Sequence, residues 1–195
     1  MKNRLVLVML IIFVLVLCSC SDGNFPLMVG SKTDRGGYIF YDKGDYEDGW
    51  RYLEAAPAGW YGSSIDPLMK FADDNEYIGT TVEALGGGKA NTDDLLYGLA
   101  FYPAASACND YTRTVKGKKY DDWFLPSHNE LIEMNLRLYQ KGLGGLSEGV
   151  YWSSTAVVDD SNNKAIAIGI NSYSYHYIYT WYRSTTYYVR PIRRF

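Results

Sequence analysis

Between Asn171 and Tyr188 the chain reads NSYSYHYIYTWYRSTTYY, with Tyr173, Tyr175, Tyr177 and Tyr179 at every second residue. A period of two puts alternate side chains on one face of an extended strand. The chemistry open to such a row is stacking and hydrogen bonding. Each tyrosine carries a rigid ring and a hydroxyl, and the interleaved Asn, Ser, Thr and His add adaptable polar contacts. Asn171, Tyr173, Tyr175, His176, Tyr177, Tyr179, Trp181, Tyr182 and Arg183 are therefore the candidate ligand contacts. Arg, Tyr and Trp are also the residue types that most often dominate binding energy. The competing reading is aromatic packing across a half-buried sheet, since Tyr is a good strand former.

Other residues with reactive side chains lack the spacing that chemistry needs. Asp42, Asp45, Glu47 and Asp48 could offer oxygens to a hard cation. They lack the D-x-D-x-D-G spacing of a calcium loop and lie in a Gly-containing turn that itself favours Asp. His128 and His176 are the only histidines and are far apart, and no H-x-x-x-H or C-x-x-C pattern supports zinc. No G-x-S-x-G or phosphate loop is present. The expectation is a domain with no catalytic residue, no metal and no cofactor.

The N-terminus sets the compartment. Lys2 and Arg4 precede an unbroken apolar run, Leu5 to Leu17. A helix needs about 20 residues to cross a bilayer, so this run suits a signal-peptide core instead. It ends in Leu17-Cys18-Ser19-Cys20, which resembles a bacterial lipobox with Cys20 as the lipidated residue. Residues 1–19 are thus expected to be a lipoprotein signal peptide, 20–35 a tether and 36–195 one domain. Ser21 stands where inner-membrane retention signals carry Asp, which points to the outer membrane or cell surface. Loss of Lys2 and Arg4 with the leader takes the formal charge from −3 to −5. That balance argues against a nucleic-acid partner, which calls for a basic footprint. Cys108 is left without a disulfide partner and reads as a small buried hydrophobe.

The elements that must position the tyrosines read as follows. Tyr38–Tyr41 and Trp50–Leu53 form a hairpin around the DKGDYEDG turn. Residues 58 to 91 look like long loops. Thr92 is placed to cap a first helix carrying Asp93 and Asp94, with Pro103 either kinking it or starting a second piece. Ser127 and Glu130 form a capping box for the next helix, which Gly142, Gly144 and Gly145 end. Tyr151–Thr155, Ala165–Ile170 and Tyr187–Ile192 read as strands, the middle one with Ile166, Ile168 and Ile170 on one face. A hairpin, then two helices, then strands is an α+β pattern.

GGYIFY with GWRYLEAAP, Ile78-Gly79-Thr80, Ala104-Ala105 with Cys108, DWFLPSHNEL, YWSST and VRPIRRF occur in that order. Together they resemble the Legionella collagen-like protein C-terminal domain family, over about Gly36 to Phe195. The resemblance implies a C-type lectin-like fold: two helices with small antiparallel sheets, and the N- and C-terminal strands paired. It places Trp152 and Val189-Arg190-Pro191 in the framework and has the DWFLPS turn lead into the second helix. The residues themselves read either as acids over an aromatic cleft or, in preference, as a structural turn that fixes Trp123 and Phe124 in the core and caps that helix. The Glu-Pro-Asn, Gln-Pro-Asp and Trp-Asn-Asp motifs of calcium-dependent lectins are absent, and Trp152 is followed by Ser153-Ser154. The formylglycine-generating enzymes share the broad fold but use two cysteines, whereas only Cys108 remains here. The expectation is a surface-displayed lipoprotein with a noncatalytic recognition domain. It would bind an extracellular protein or glycan through the Tyr-rich segment and hold the membrane through its lipid anchor. The alternative is a structural cell-envelope lipoprotein without a specific ligand.

Overall fold

A computed structural model describes residues 26–73, 82–97, 100–157, 163–172 and 177–195. Cys20, the leader and Ile78-Gly79-Thr80 lie outside the described residues. Among the described residues no helix is long and apolar enough to cross a membrane.

The aromatic, β-prone runs form the expected hairpin: β1 (Tyr38–Glu47) pairs antiparallel with β2 (Trp50–Ala55). Asp48 and Gly49 turn the chain at φ 53° and φ 80°, the positive-φ pair that matches strand twist in a tight hairpin. Two of the four acids of the tip help to hold it: Asp42 through hydrogen bonds and Asp48 through an ion pair with Lys43 at 3.6 Å. Asp42 accepts two hydrogen bonds from the Arg51 guanidinium, at 2.7 and 3.0 Å, and one from Gly44 N–H at 2.8 Å. The Arg51 bonds hold the Asp42 carboxyl below its ordinary range.

The middle of the chain holds β3 (Leu68–Lys70), α1 (Gly88–Tyr97) and α2 (Pro103–Asp110), then β4 (Arg113–Val115) and β5 (Lys118–Tyr120), and then α3 (His128–Arg137). Among the described residues this stretch holds three α-helices against the two expected, because Pro103 begins a separate helix, the second of the two options the sequence leaves open. Proline suits a first turn, where its missing N–H is not needed. Thr92 is not a cap. It lies inside α1, buried, and its hydroxyl accepts from Leu125 N–H at 3.0 Å. α1 thereby fastens the WFLPS turn, whose Trp123 and Phe124 are buried in the core.

The last third supplies β6 (Gly149–Ala156), β7 (Lys164–Ile170), β8 (Ile178–Tyr182), β9 (Thr186–Tyr188) and β10 (Ile192–Arg194). The expected single closing strand is two, because Pro191 cannot donate to a ladder. Between them the chain crosses from a five-stranded sheet, ordered β3-β9-β6-β7-β8, to a three-stranded one, ordered β1-β2-β10. The closing strand pairs with β2, with Ile192 opposite Ala55, and not with the first strand as expected. The outer side of β1 is already taken: Gly30 N–H bonds to Ile39 O at 2.7 Å, and Ile39 N–H to Ser31 O at 3.0 Å. The end of the expected tether is therefore part of the sheet.

β6 and β7 are buried on both faces, which explains their apolar character. Tyr151, Ile166, Ile168 and Ile170 face Leu131 and Met134 of α3 and Leu138 just beyond its end, together with Phe40, Leu53 and Ile192. On the other face Trp152, Ala165 and Ala167 meet Leu95 of α1, Ala104, Ala105 and Cys108 of α2, and Phe71. Cys108 is buried, and burial pushes its thiol well above the ordinary value, which makes it unreactive.

α3 begins in the expected capping box. Ser127 N–H donates to the Glu130 carboxylate at 2.6 Å, and Gly86 N–H donates to its other oxygen at 2.8 Å. Glu130 is fully buried, and that burial pushes its carboxyl up to about 7 against these two donors. An acid whose folded pKa lies above its unfolded value of 4.5 binds the proton more tightly when folded. Its contribution to stability is complete below about pH 4.5 and is lost as the pH rises through about 7. Urea unfolding is expected to show a decline on the order of 3 kcal/mol from this group across that window. The Glu130 carboxyl carbon shift, followed by NMR, should titrate with the same midpoint. A midpoint near 4.5 would overturn this expectation.

Candidate functional site

β8 is an edge strand of the five-stranded sheet, and its register on β7 decides how each candidate residue is presented. Trp181 lies opposite Ala165, Tyr179 opposite Ala167, Thr180 opposite Ile166 and Ile178 opposite Ile168. The odd-numbered row of β8 therefore continues the face that carries Trp152, and the even-numbered row continues the face that carries the isoleucines.

The small residues of β7 make room for the aromatic row. A side chain on Gly169 would meet Tyr179 at 3.4 Å and Tyr177 at 3.5 Å. Tyr177 stacks on Tyr179 with ring centroids 6.1 Å apart and planes 24° apart. Trp181 meets Tyr187 edge-on at 6.3 Å, Tyr187 packs on Trp152 at 4.8 Å, and Trp152 meets Phe71 at 5.6 Å. A continuous chain of rings thus runs from the core to the surface. Its inner members are buried or half-buried, while Trp181 is 41 % exposed and Tyr177 52 %. On the opposite face Ile178 is exposed, and Tyr182, 54 % exposed, lies beneath the Lys164 ammonium at 5.9 Å.

Tyr177, Trp181 and Tyr182 are therefore at the surface, and Tyr179 is half-buried as part of the packing. Asn171 is half-buried just beyond β7, with its side-chain amide 3.5 Å from Gly169 O. Tyr173, Tyr175 and His176 lie outside the described residues. Arg183 differs from the expectation of a contact residue: it is only 2 % exposed. Its backbone is committed on both sides, Arg183 N–H to Asn163 O at 2.9 Å and Arg183 O accepting from Phe71 N–H at 2.9 Å. Its guanidinium donates to Lys164 O at 3.3 Å and lies over the Phe71 ring at 5.9 Å. Arg183 pins the end of β8 to the core and does not face a ligand.

The residue that the sequence reading passed over is Asp66, in what looked like a long loop. It is 4 % exposed and holds four donors. One carboxylate oxygen accepts from Arg190 Nε at 2.7 Å and from Trp60 Nε1 at 3.0 Å. The other accepts from Arg190 Nη2 at 2.8 Å and from the Tyr151 hydroxyl at 2.6 Å. Arg190 spends its remaining donors on Ala56 O, Gly144 O and Gly145 O. Burial, with the Asp66 charge beside it, pushes the Tyr151 phenol far above its ordinary value. This satisfied network is a structural pin and not a reactive centre. The one available signal is a single acid set between Ile65 and Pro67-Leu68-Met69, apolar neighbours that a solvated loop acid does not need.

Among the described residues no group of three or more His, Cys, Asp or Glu could hold a metal ion. His128 is buried beside Glu83, its Nδ1 3.3 Å from the carboxylate, at the start of α3. No known family and no curated protein matches the chain.

Proposed function

We propose that this protein is an exported bacterial lipoprotein, anchored through Cys20, whose domain recognises an extracellular protein or glycan without catalysis. The reading rests on one observation. An edge strand and the residue before it expose Tyr177, Ile178, Trp181 and Tyr182 within six residues, and Trp181 is backed by rings rooted in the core. Preformed aromatic surface loses little entropy on binding and suits either sugar rings or an apolar protein patch. A C-type lectin-like arrangement of the domain is supported by the mixed α+β build and by the closing strand lying in the same three-stranded sheet as the opening hairpin, although it pairs with β2 and not with β1. There Arg51 and Tyr52 N–H both reach Phe195 O, at 2.8 and 2.9 Å, beside the opening hairpin.

The half-burial of Tyr179 and Tyr187 against the core favours the second reading, a structural envelope lipoprotein. The two separate in one experiment. The full chain in mild detergent is screened on glycan and protein arrays, and the best hit is titrated against Tyr177→Ala, Trp181→Ala and Tyr182→Ala. Each substitution is expected to weaken binding about tenfold, the effect of losing an aromatic hot spot, with the melting temperature nearly unchanged. A triple variant that binds the hit as tightly as the parent, or arrays without a hit, would end the recognition reading.

A further inference from the structure

The five-stranded sheet has a second edge, formed by β3, at the far side from β8. There a cleft of about 630 Å³ opens between β3 and α2, with Tyr61, Met69, Phe101, Pro103 and Asp110 among its walls. A hollow of about 330 Å³ adjoins it, walled by Trp60, Tyr61, Tyr111 and Asp110. Tyr61, Ala107 and Asp110 belong to both, so the two form one groove with Asp110 at the junction. Its size falls among those of small-molecule sites.

Charge and ring placement define what fits. At one end Lys70 and Asp73 neutralise each other at 2.6 Å. Asp110 is exposed, and its side chain has no hydrogen bond or ion pair among the described residues. It is also the last residue of α2, where the helix dipole adds negative potential. The groove therefore repels anions. A single carboxylate is too few for a hard cation, which takes six or more oxygens.

The wall beside Asp110 is aromatic and held in place. Trp60 packs on Tyr61 at 5.2 Å and edge-on to Tyr111 at 5.6 Å. Its indole is pinned to Asp66. Tyr61 is 58 % exposed and Phe101 61 %, so both present ring surface to the groove. A free carboxylate next to accessible rings is the chemistry that takes an organic cation: the carboxylate meets the charge and the ring quadrupole stabilises it further.

We propose that this groove binds an alkylammonium or guanidinium group on an apolar stem. The charged head sits between Asp110 and Tyr61, and the stem lies along Met69, Pro103 and Phe101. The site is separate from the β8 surface and stands or falls independently of it.

The test is an amide NMR titration of the full chain in detergent at low salt, with n-butylammonium, n-butylguanidinium and n-butanol as probes. Saturable shifts are expected at Tyr61, Ala107 and Tyr111 with both cations, with n-butanol at least about fivefold weaker. Asp110→Asn, a substitution at an exposed position, should weaken cation binding by a similar factor and leave the rest of the spectrum unchanged. A parallel titration with N-acetyl-Gly-Lys-Gly-amide identifies the source. Tighter binding than n-butylammonium assigns the site to a lysine side chain of a protein, and equal or weaker binding assigns it to a free amine. Equal affinity for n-butanol and n-butylammonium, an unaffected Asp110→Asn variant, or no saturable shift would overturn the proposal.

Discussion

Asp66→Ala is expected to destabilise the domain by about 5 kcal/mol, the upper end of the cost of removing one partner of a buried ion pair. The substitution leaves the Arg190 guanidinium fully buried with two of its donors unmatched. It also orphans the Tyr151 hydroxyl and the Trp60 indole N–H, each of which adds a desolvation cost. For a domain of this length, that corresponds to a fall in melting temperature of roughly 10–20 °C. Total stabilities of about 5–15 kcal/mol make partial unfolding at 37 °C an expected consequence. Asp66→Leu with Arg190→Met should cost less than the sum of the single changes, with a coupling above about 2 kcal/mol. It will not restore the parent, because Ala56 O, Gly144 O and Gly145 O lose their donors. Guanidinium unfolding of the parent, Asp66→Ala, Asp66→Leu, Arg190→Met and the double variant measures this directly. A single-variant loss below about 1 kcal/mol would show that the network is not a pin.

That network also marks where the sequence stopped being legible. The hairpin, the capping box and the β6–β7 pair follow from local signals: β-prone aromatics around an Asp–Gly turn, Ser127 three residues before Glu130, and apolar alternation. Each is decided by neighbours within a few positions. Asp66 is decided by Arg190, 124 residues away, and by Tyr151, 85 residues away. No local pattern announces such partners. Thr92 misled for the same reason: its hydroxyl serves Leu125, 33 residues on, and not its own helix N-terminus.

The candidate site shows the same division. Of the tyrosines whose period of two suggests an extended strand, Tyr179 lies in the strand Ile178–Tyr182, Tyr177 just precedes it, and Tyr173 and Tyr175 lie outside the described residues. Which rings would be exposed depended on the partner strand. In KAIAIGI the isoleucines carry the visible alternation, but it is the Ala and Gly positions that seat Tyr179 and Trp181. Arg183 sits one residue past the strand end, where the chain turns inward to meet Phe71 and Asn163. Position relative to a strand end outweighed the composition around it.

Trp152→Ala should come close to Asp66→Ala in cost, at about 4–5 kcal/mol, typical of truncating a fully buried Trp. Trp152 has no exposed surface, and its indole N–H donates to Met69 O at 3.0 Å. Truncation leaves that carbonyl without its donor and removes the ring that supports both Phe71 and Tyr187. Trp152→Phe keeps a ring in place and should cost about 1–2 kcal/mol, mostly for the lost hydrogen bond. The comparison with Trp181 decides the nature of the surface row. Trp181 is at the outer end of the same chain of rings and 41 % exposed. If it serves recognition, Trp181→Ala should cost less than about 1 kcal/mol in urea unfolding, as surface changes do. A Trp181→Ala variant as unstable as Trp152→Ala would mean that the row is core that happens to reach the surface, and the structural reading would replace recognition. The gradient of stability cost along Trp152, Tyr187 and Trp181 therefore measures how much of the tyrosine-rich strand is available to a ligand.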